Sequence, residues 1–475
     1  MKIKKIATLL SILLFTATSL VIAEKISDAE SPATQNVSAH MSDNFVESIG
    51  INTKFGYCPG RLCDNYLKVK TLLGDLGVRY IRDIAYSEPW RTRTDIYKDY
   101  GIRMLVGVER LGEEPLNPAT IPAQLDVIKS WGEMIMGISG VNEYDNPVYY
   151  SCEETENCDP SWSEESWPPT YVEFQKKVYD RVKADPELNS LPVVLGPMAR
   201  LDNIDEFGNL GAFCDKGNDH SYPGALGKPS QEGGRGPKMS LRSMDEVVYR
   251  VQQVCPDKKL WITETGYEES TNGENRNIAL VTRKAKAKYL PRIYTNYYLQ
   301  GQIEKTFLYQ LLEPIKTLPT RYGIIDTNLQ PTPAYYSIKN MISLLQEAEW
   351  NKSRQSWKYP DFKTDSLNYS LEGNTTDIKH ILLQKSDGTF YLLIWQEVYV
   401  YDNQTGEEIV NRDRIINFKL DGATIEKANK YLLYNQSNPS AELVPLKTWT
   451  NVSDLSLNVP DHILVLEFNL DDRPK

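Results

Sequence analysis

Histidine is scarce in this chain. Four occur in 475 residues, at positions 40, 220, 380 and 462, too few for a multi-histidine metal centre or a histidine-based pH switch. Surplus positive charge is also missing. Lys and Arg number 53 against 64 Asp and Glu, a net charge of −11, which argues against nucleic acid or an anionic membrane as partner. Beyond the N-terminus no apolar stretch is long enough to span a bilayer. The first apolar run is followed by Ile51-Asn52-Thr53-Lys54, which is not the glycine-rich phosphate turn of a dinucleotide fold. Gly137-Ile138-Ser139-Gly140-Val141 lacks the second glycine that a serine-hydrolase elbow needs. There are no internal repeats and no long low-complexity tract. What remains is an ordinary globular composition, 41% hydrophobic and 25% charged, which excludes wholesale disorder. The length fits two to three domains, or one large barrel with a smaller partner.

The N-terminus reads as an export address. Lys2, Lys4 and Lys5 precede an apolar or small stretch, Ile6 to Ala23, which ends in Val21-Ile22-Ala23 just before Glu24. Cleavage after Ala23 is expected, an uncleaved anchor being the alternative. A secreted or periplasmic protein, free of the membrane once the signal is removed, is therefore expected. Residues 24–44 are polar and read as a flexible leader. Six cysteines agree with an oxidising compartment. Cys58 with Cys63 and Cys152 with Cys158 are local pairs that leave Cys214 and Cys255 to each other, although six cysteines allow about 15 connectivities. Sequons stand at Asn36, Asn351, Asn368, Asn374, Asn403, Asn435 and Asn451, all outside residues 45–345, and matter only in a host that glycosylates.

Short apolar runs then alternate with amphipathic stretches. The runs are Phe45–Ile51, Val78–Ile81, Arg103–Val108, Ile135–Val141, Val193–Gly196, a weak one near Asn218–Tyr222, Leu260–Thr263 and Thr306–Tyr309. The helical patterns are Tyr66–Leu76, Pro89–Tyr100, Ile121–Met134, Tyr171–Ala184, Leu201–Phe213, Ser240–Val254, Asn277–Leu299 and Pro333–Leu345. Eight strand–helix units in about 300 residues predict a (β/α)8 TIM barrel over 45–348, an open doubly wound sheet being the alternative. After residue 348 helical periodicity stops. Phe390–Trp395, Arg414–Leu420, Lys430–Tyr434 and His462–Phe468 are β-rich and separated by turns such as Asp387-Gly388. A smaller antiparallel β-sandwich over 349–475 is predicted.

Barrel active sites sit at the C-terminal ends of the strands. The fourth run ends in Asn142-Glu143, and the seventh in Thr263-Glu264-Thr265-Gly266. Two carboxylates facing one another across a barrel mouth suit glycoside hydrolysis, one protonating the leaving oxygen and one attacking the anomeric carbon. Here the chain resembles the clan A retaining glycoside hydrolases. Asn142-Glu143 is similar to their acid/base signature, and Ile262-Thr263-Glu264-Thr265-Gly266 to their nucleophile strand. Arg82 in Tyr80-Ile81-Arg82-Asp83 matches the arginine near the nucleophile, and His220-Ser221-Tyr222-Pro223 the segment whose tyrosine bonds it. Gly323-Ile324-Ile325-Asp326 with Pro333-Ala334-Tyr335-Tyr336 is similar to the segment that closes such barrels. The layout is nearest to the β-xylosidase-like and arabinofuranosidase-like branches. Tyr309 stands where many members of the clan carry a tryptophan beneath the sugar. The long 144–190 segment, with Trp162 and Trp167, is expected to reshape the entrance, its tryptophans either stacking on sugar or packing the loop.

The resemblance implies a retaining mechanism on oligo- or polysaccharide. Glu264 is the ionised nucleophile, and Glu143 the protonated acid that later acts as base. Arg82, Asn142, His220, Tyr222 and Tyr309 are the binding residues, and neither metal nor organic cofactor takes part. Glu109 and Glu313 read as structural or outer contacts. A catalytically silent glycan-binding or scaffold protein on the same barrel is the alternative. Sugar, linkage, exo or endo action and oligomeric state are not fixed by the sequence.

Overall fold

The structure, a computed structural model, describes residues 34–55, 64–85, 94–110, 114–156, 158–224, 227–233, 241–269, 280–313, 321–402 and 405–471. The export signal, the first part of the leader, Cys58, Cys63 and Asn403 lie outside the described residues.

Eight parallel strands form the first domain: β1 (Ile49–Asn52), β2 (Tyr80–Ile84), β3 (Arg103–Gly107), β4 (Ile135–Ser139), β5 (Val193–Val194), β6 (Gly217–His220), β7 (Leu260–Thr265) and β8 (Ile303–Leu308). They lie in the order β5-β4-β3-β2-β1-β8-β7-β6. The two ends meet through a bridge from Val194 to Lys216, and Asp215 N donates to Val193 O at 2.7 Å. Most of these strands are continuous apolar runs because helices cover one face and the barrel interior fills the other. β6 is the exception. Gly217-Asn218-Asp219-His220 is polar yet fully buried, and Asn218 is held by donating to Leu195 O at 2.8 Å and accepting from Thr263 Oγ1 at 2.9 Å. Tyr80, Leu105, Val194, Trp261 and Phe307 form a separate buried cluster. Gly50 makes room for it, since a Cβ there would stand 2.5 Å from the Phe307 ring.

Helices Tyr66–Leu76, Thr94–Tyr100, Ile121–Lys129, Trp167–Ala184, Met244–Val254, Arg283–Leu299 and Pro333–Leu345 surround the strands. Two sequence expectations are corrected. Leu201–Phe213 is not an α-helix but two short 3-10 turns, Leu201–Glu206 and Gly211–Phe213. The Asp145 carboxylate captures the Ala199 and Arg200 N–H groups just ahead of this segment, and Gly208 turns the chain with φ 63°. Nor is Phe45–Ile51 one strand: Ser42–Glu47 is helical, and its Asp43 receives Arg79 and the N–H groups of Glu347 and Ala348.

The flexible leader is also corrected in its described part. Gln35–Ser38 pairs antiparallel with Ser366–Gly373, and His40–Met41 pairs with Ile378–Gln384. The polar composition here reflects an edge strand with an exposed face. These segments join a four-stranded and a six-stranded sheet that pack face to face. Strand Phe390–Gln396 shows the period of two: Phe390, Leu392 and Ile394 enter the sandwich core, whereas Tyr391, Leu393 and Trp395 join the barrel's own core. A buried ion pair reinforces that seam. Arg292, inside a barrel helix, contacts Glu397 at 3.0 Å, and Trp395 Nε1 donates to the same carboxylate at 2.7 Å. Among the described residues no helix is long and apolar enough to cross a membrane.

Disulfides Cys152–Cys158 and Cys214–Cys255 are both formed. They span 6 and 41 residues, so loop-closure entropy predicts unequal value, about 2 kcal/mol for the short loop and about 4 for the long one. Replacing each pair by alanine and comparing urea midpoints checks this. The Cys214/Cys255 double variant is expected to be the less stable.

Candidate active site

The ends of β1, β2, β4, β6 and β7 bring their polar side chains to one place. Arg82, the third residue of β2, is buried and donates through Nη1 to Glu264 Oε1 at 2.6 Å and to Asn52 Oδ1 at 3.0 Å. Through Nη2 it donates to Asn142 Oδ1 at 2.6 Å. Asn52 is in turn fixed by donating to Thr263 O at 3.0 Å and Leu308 O at 3.3 Å. Tyr222, two residues past β6, donates to Glu264 Oε2 at 2.7 Å. Each oxygen of Glu264 therefore receives a strong donor, the pattern that suits an ionised carboxylate.

Glu143 follows β4 in a left-handed turn, φ 43°. Its N–H donates to Pro197 O at 3.0 Å, Asn146 Nδ2 donates to its Oε2 at 3.2 Å, and its Oε1 lies 2.7 Å from His220 Nδ1. Asn218 donates its amide to Leu195 O, so its Oδ1 accepts, and it accepts from Thr263 Oγ1 at 2.9 Å. Having spent its proton there, the Thr263 hydroxyl accepts from His220 Nε2 at 3.1 Å. Nε2 then carries hydrogen, and a neutral imidazole presents a bare Nδ1 to Glu143. One proton must lie between the two, on Glu143 or on His220.

Glu143, His220 and Glu264 each offer an atom within 4.8 Å of the others. Glu143 and Glu264 thus each bring a carboxyl oxygen within 4.8 Å of the other, the close approach of two carboxyls that a retaining double displacement needs. The same trio is the group of described residues that could offer three ligands to a metal ion. Its atoms are already matched to one another and to Arg82 and Tyr222 by hydrogen bonds.

All seven sequence-predicted residues fall at this mouth. Tyr309 follows β8, edge-on to Tyr322 at 5.4 Å, and Tyr322 in turn lies 5.7 Å from Tyr222. The Lys54 ammonium stands 4.6 Å above the Tyr309 ring. Burial lowers the Lys54 pKa, opposed by the Glu264, Asp83 and Glu143 carboxyls. Sequence reasoning missed Asn52, Lys54 and Tyr322 as site residues. Asn52 and Lys54 close the first strand, so the strand-end rule that found Glu143 would have found them too. Glu109 packs under Asn142, accepting its N–H at 3.1 Å. Glu313 lies apart: it accepts the Gly323 N–H at 2.8 Å, and burial raises its carboxyl to about 7. Of the two insertion tryptophans, Trp167 is core, edge-on to Phe207 at 5.6 Å, and Trp162 donates to Tyr144 O at 2.8 Å. Both pack the loop.

No family model matches the chain, and no curated protein matches it in sequence. Solved structures do share its fold. A family 39 glycoside hydrolase from Bacteroides cellulosilyticus WH2 superposes with TM-score 0.57 at 15% identity, over 91% of this chain and 83% of that one. AbfB, a family 51 alpha-L-arabinofuranosidase from Bifidobacterium longum, gives 0.54 at 14%, over 92% and 98%. The catalytic domain of GH30 xylanase C from Talaromyces cellulolyticus gives 0.53 at 9%, over 92% and 98%. The fold is thus the TIM barrel with a β-rich C-terminal domain found in these glycoside hydrolases.

The Arg82–Glu264 pair is buried and mutually dependent, so removing one partner strands a charge. Arg82→Met is expected to cost about 3 kcal/mol in urea denaturation, and Arg82→Met with Glu264→Met to recover much of that loss.

Proposed function

We propose that this chain is a retaining glycoside hydrolase acting on oligo- or polysaccharide outside the cytoplasm. The observation that carries the reading is the close approach of Glu143 and Glu264, with Arg82 and Tyr222 donating to one and a shared proton held at the other. Glu264 attacks the anomeric carbon and forms a glycosyl-enzyme ester as the leaving oxygen takes a proton from Glu143. Once esterified, Glu264 carries no charge. Glu143 then takes a proton from water, whose oxygen attacks the same carbon and frees Glu264. Arg82 fixes the amide oxygen of Asn142, so the NH2 end is the one available to a sugar 2-OH. That bond strengthens as charge develops at the anomeric centre. Tyr309 and Tyr322 wall the glycon site. The two disulfides support export.

Hydrolysis of aryl xylosides, glucosides, galactosides and arabinofuranosides tests the reading. Glu264→Ala is expected to abolish turnover of whichever glycoside is cleaved. Glu143→Ala should lose about 10²–10⁴-fold on a poor leaving group and far less on dinitrophenol, with azide restoring turnover as a glycosyl azide. Turnover that survives in Glu264→Ala would contradict the assignment, and sugar binding without turnover would favour a silent glycan-binding protein.

A further inference from the structure

Glu109 is a buried carboxyl that the mechanism above does not use. It sits two residues past β3, and Gln124 grips its backbone from both sides, accepting its N–H at 2.9 Å and donating to its C=O at 2.8 Å. Gly107 leaves the space for its side chain, since a Cβ there would stand 2.7 Å from Glu109 Oε1. Oε2 accepts the Asn142 N–H at 3.1 Å, while Oε1 is buried with no donor among the described residues. The next residue along, Glu143, holds a left-handed φ that a non-glycine residue adopts only when its neighbours enforce it. Those neighbours are Glu109 on the Asn142 N–H, Tyr150 donating to Asn142 O at 2.6 Å, and Pro197 O on the Glu143 N–H.

We propose, on the basis of the glycosidase reading, that Glu109 is a positioning residue for the acid/base. Its carboxyl holds the Asn142–Glu143 turn, and its ionisation governs how far up the pH scale Glu143 keeps its proton. Charged groups reach it from three other strands: Arg82 from β2, Glu143 beyond β4 and Glu264 from β7. Burial pushes the Glu109 carboxyl from its ordinary value of 4.5 up to about 7. The Asn142 N–H and Arg82 oppose that shift, and Glu264 and Glu143 add to it. Below that pH Glu109 is neutral and does not repel Glu264. As pH rises and it ionises, its negative charge resists ionisation of Glu143, which stays acidic further into the alkaline range.

Two substitutions separate the roles. Glu109→Gln keeps an acceptor for the Asn142 N–H and removes the titration. Its alkaline limb of kcat/KM is expected to move to lower pH by about half a unit or more. Glu109→Ala loses the acceptor as well, and its kcat should fall about tenfold below that of Glu109→Gln at every pH. A purely structural residue would leave the alkaline limb where it is in Glu109→Gln, so superimposed limbs would overturn the proposal while the glycosidase reading stood. Thermal denaturation supplies a readout that needs no turnover. A folded-state carboxyl raised to about 7 binds its proton more tightly than the unfolded chain does. The stability it contributes is present at low pH and is lost as pH rises from about 4.5 through about 7. The Tm of the wild type relative to Glu109→Gln is therefore expected to fall across that window, and a flat difference would overturn the proposal. Absence of Glu264-dependent turnover in the wild type would overturn the glycosidase reading and this proposal together.

Discussion

A guanidinium on β2 ties the barrel mouth together. Arg82 spans from Asn52 on β1 to Glu264 on β7 and to Asn142 beyond β4. Burial makes that arrangement obligatory, because a guanidinium without acceptors in this interior costs several kcal/mol. The acceptors are held just as firmly: Asn52 is anchored on the β7 and β8 carbonyls, and Tyr222 closes on the second oxygen of Glu264. Strands far apart in sequence are thereby locked together, at the precision that the proposed attack on an anomeric carbon requires.

Around that fixed cation the site separates two carboxyls by their hydrogen-bond company. Glu264 receives a guanidinium and a phenol. Glu143 faces an imidazole whose other nitrogen is committed to Thr263, so a proton is required between them. Two identical side chains thus keep different company, one bound by a guanidinium and a phenol and the other sharing a proton with an imidazole. The turn that carries Glu143 is defined by its backbone partners, and Glu109 is one of the groups that hold it from behind.

Much of this was legible in the sequence. The apolar runs located the barrel strands because helices and interior bury both faces of most of them, the strand-end rule then placed Glu143 and Glu264, and the resemblance to clan A added Arg82 and Tyr222. β6 was faint for a physical reason: its interior is satisfied by hydrogen bonds from Asn218 and His220 rather than by apolar packing. The 201–213 segment has helical composition, but Asp145 takes the backbone donors at its entrance, a contact no local pattern reveals. Residues 35–41 looked like a leader because edge strands are polar on their exposed side, and their partners lie more than 300 positions away. Tyr322 was missed because nothing in sequence distance shows which side chains will line one wall.

Covalent trapping distinguishes Glu264 from every other carboxylate as the nucleophile. The protein would be incubated with 2-deoxy-2-fluoro β-xylosides, glucosides and galactosides and with an L-arabinofuranoside analogue, followed by intact mass and peptide mapping. A single glycosyl adduct on Glu264 is expected. An adduct on any other carboxylate, Glu143 included, would contradict it.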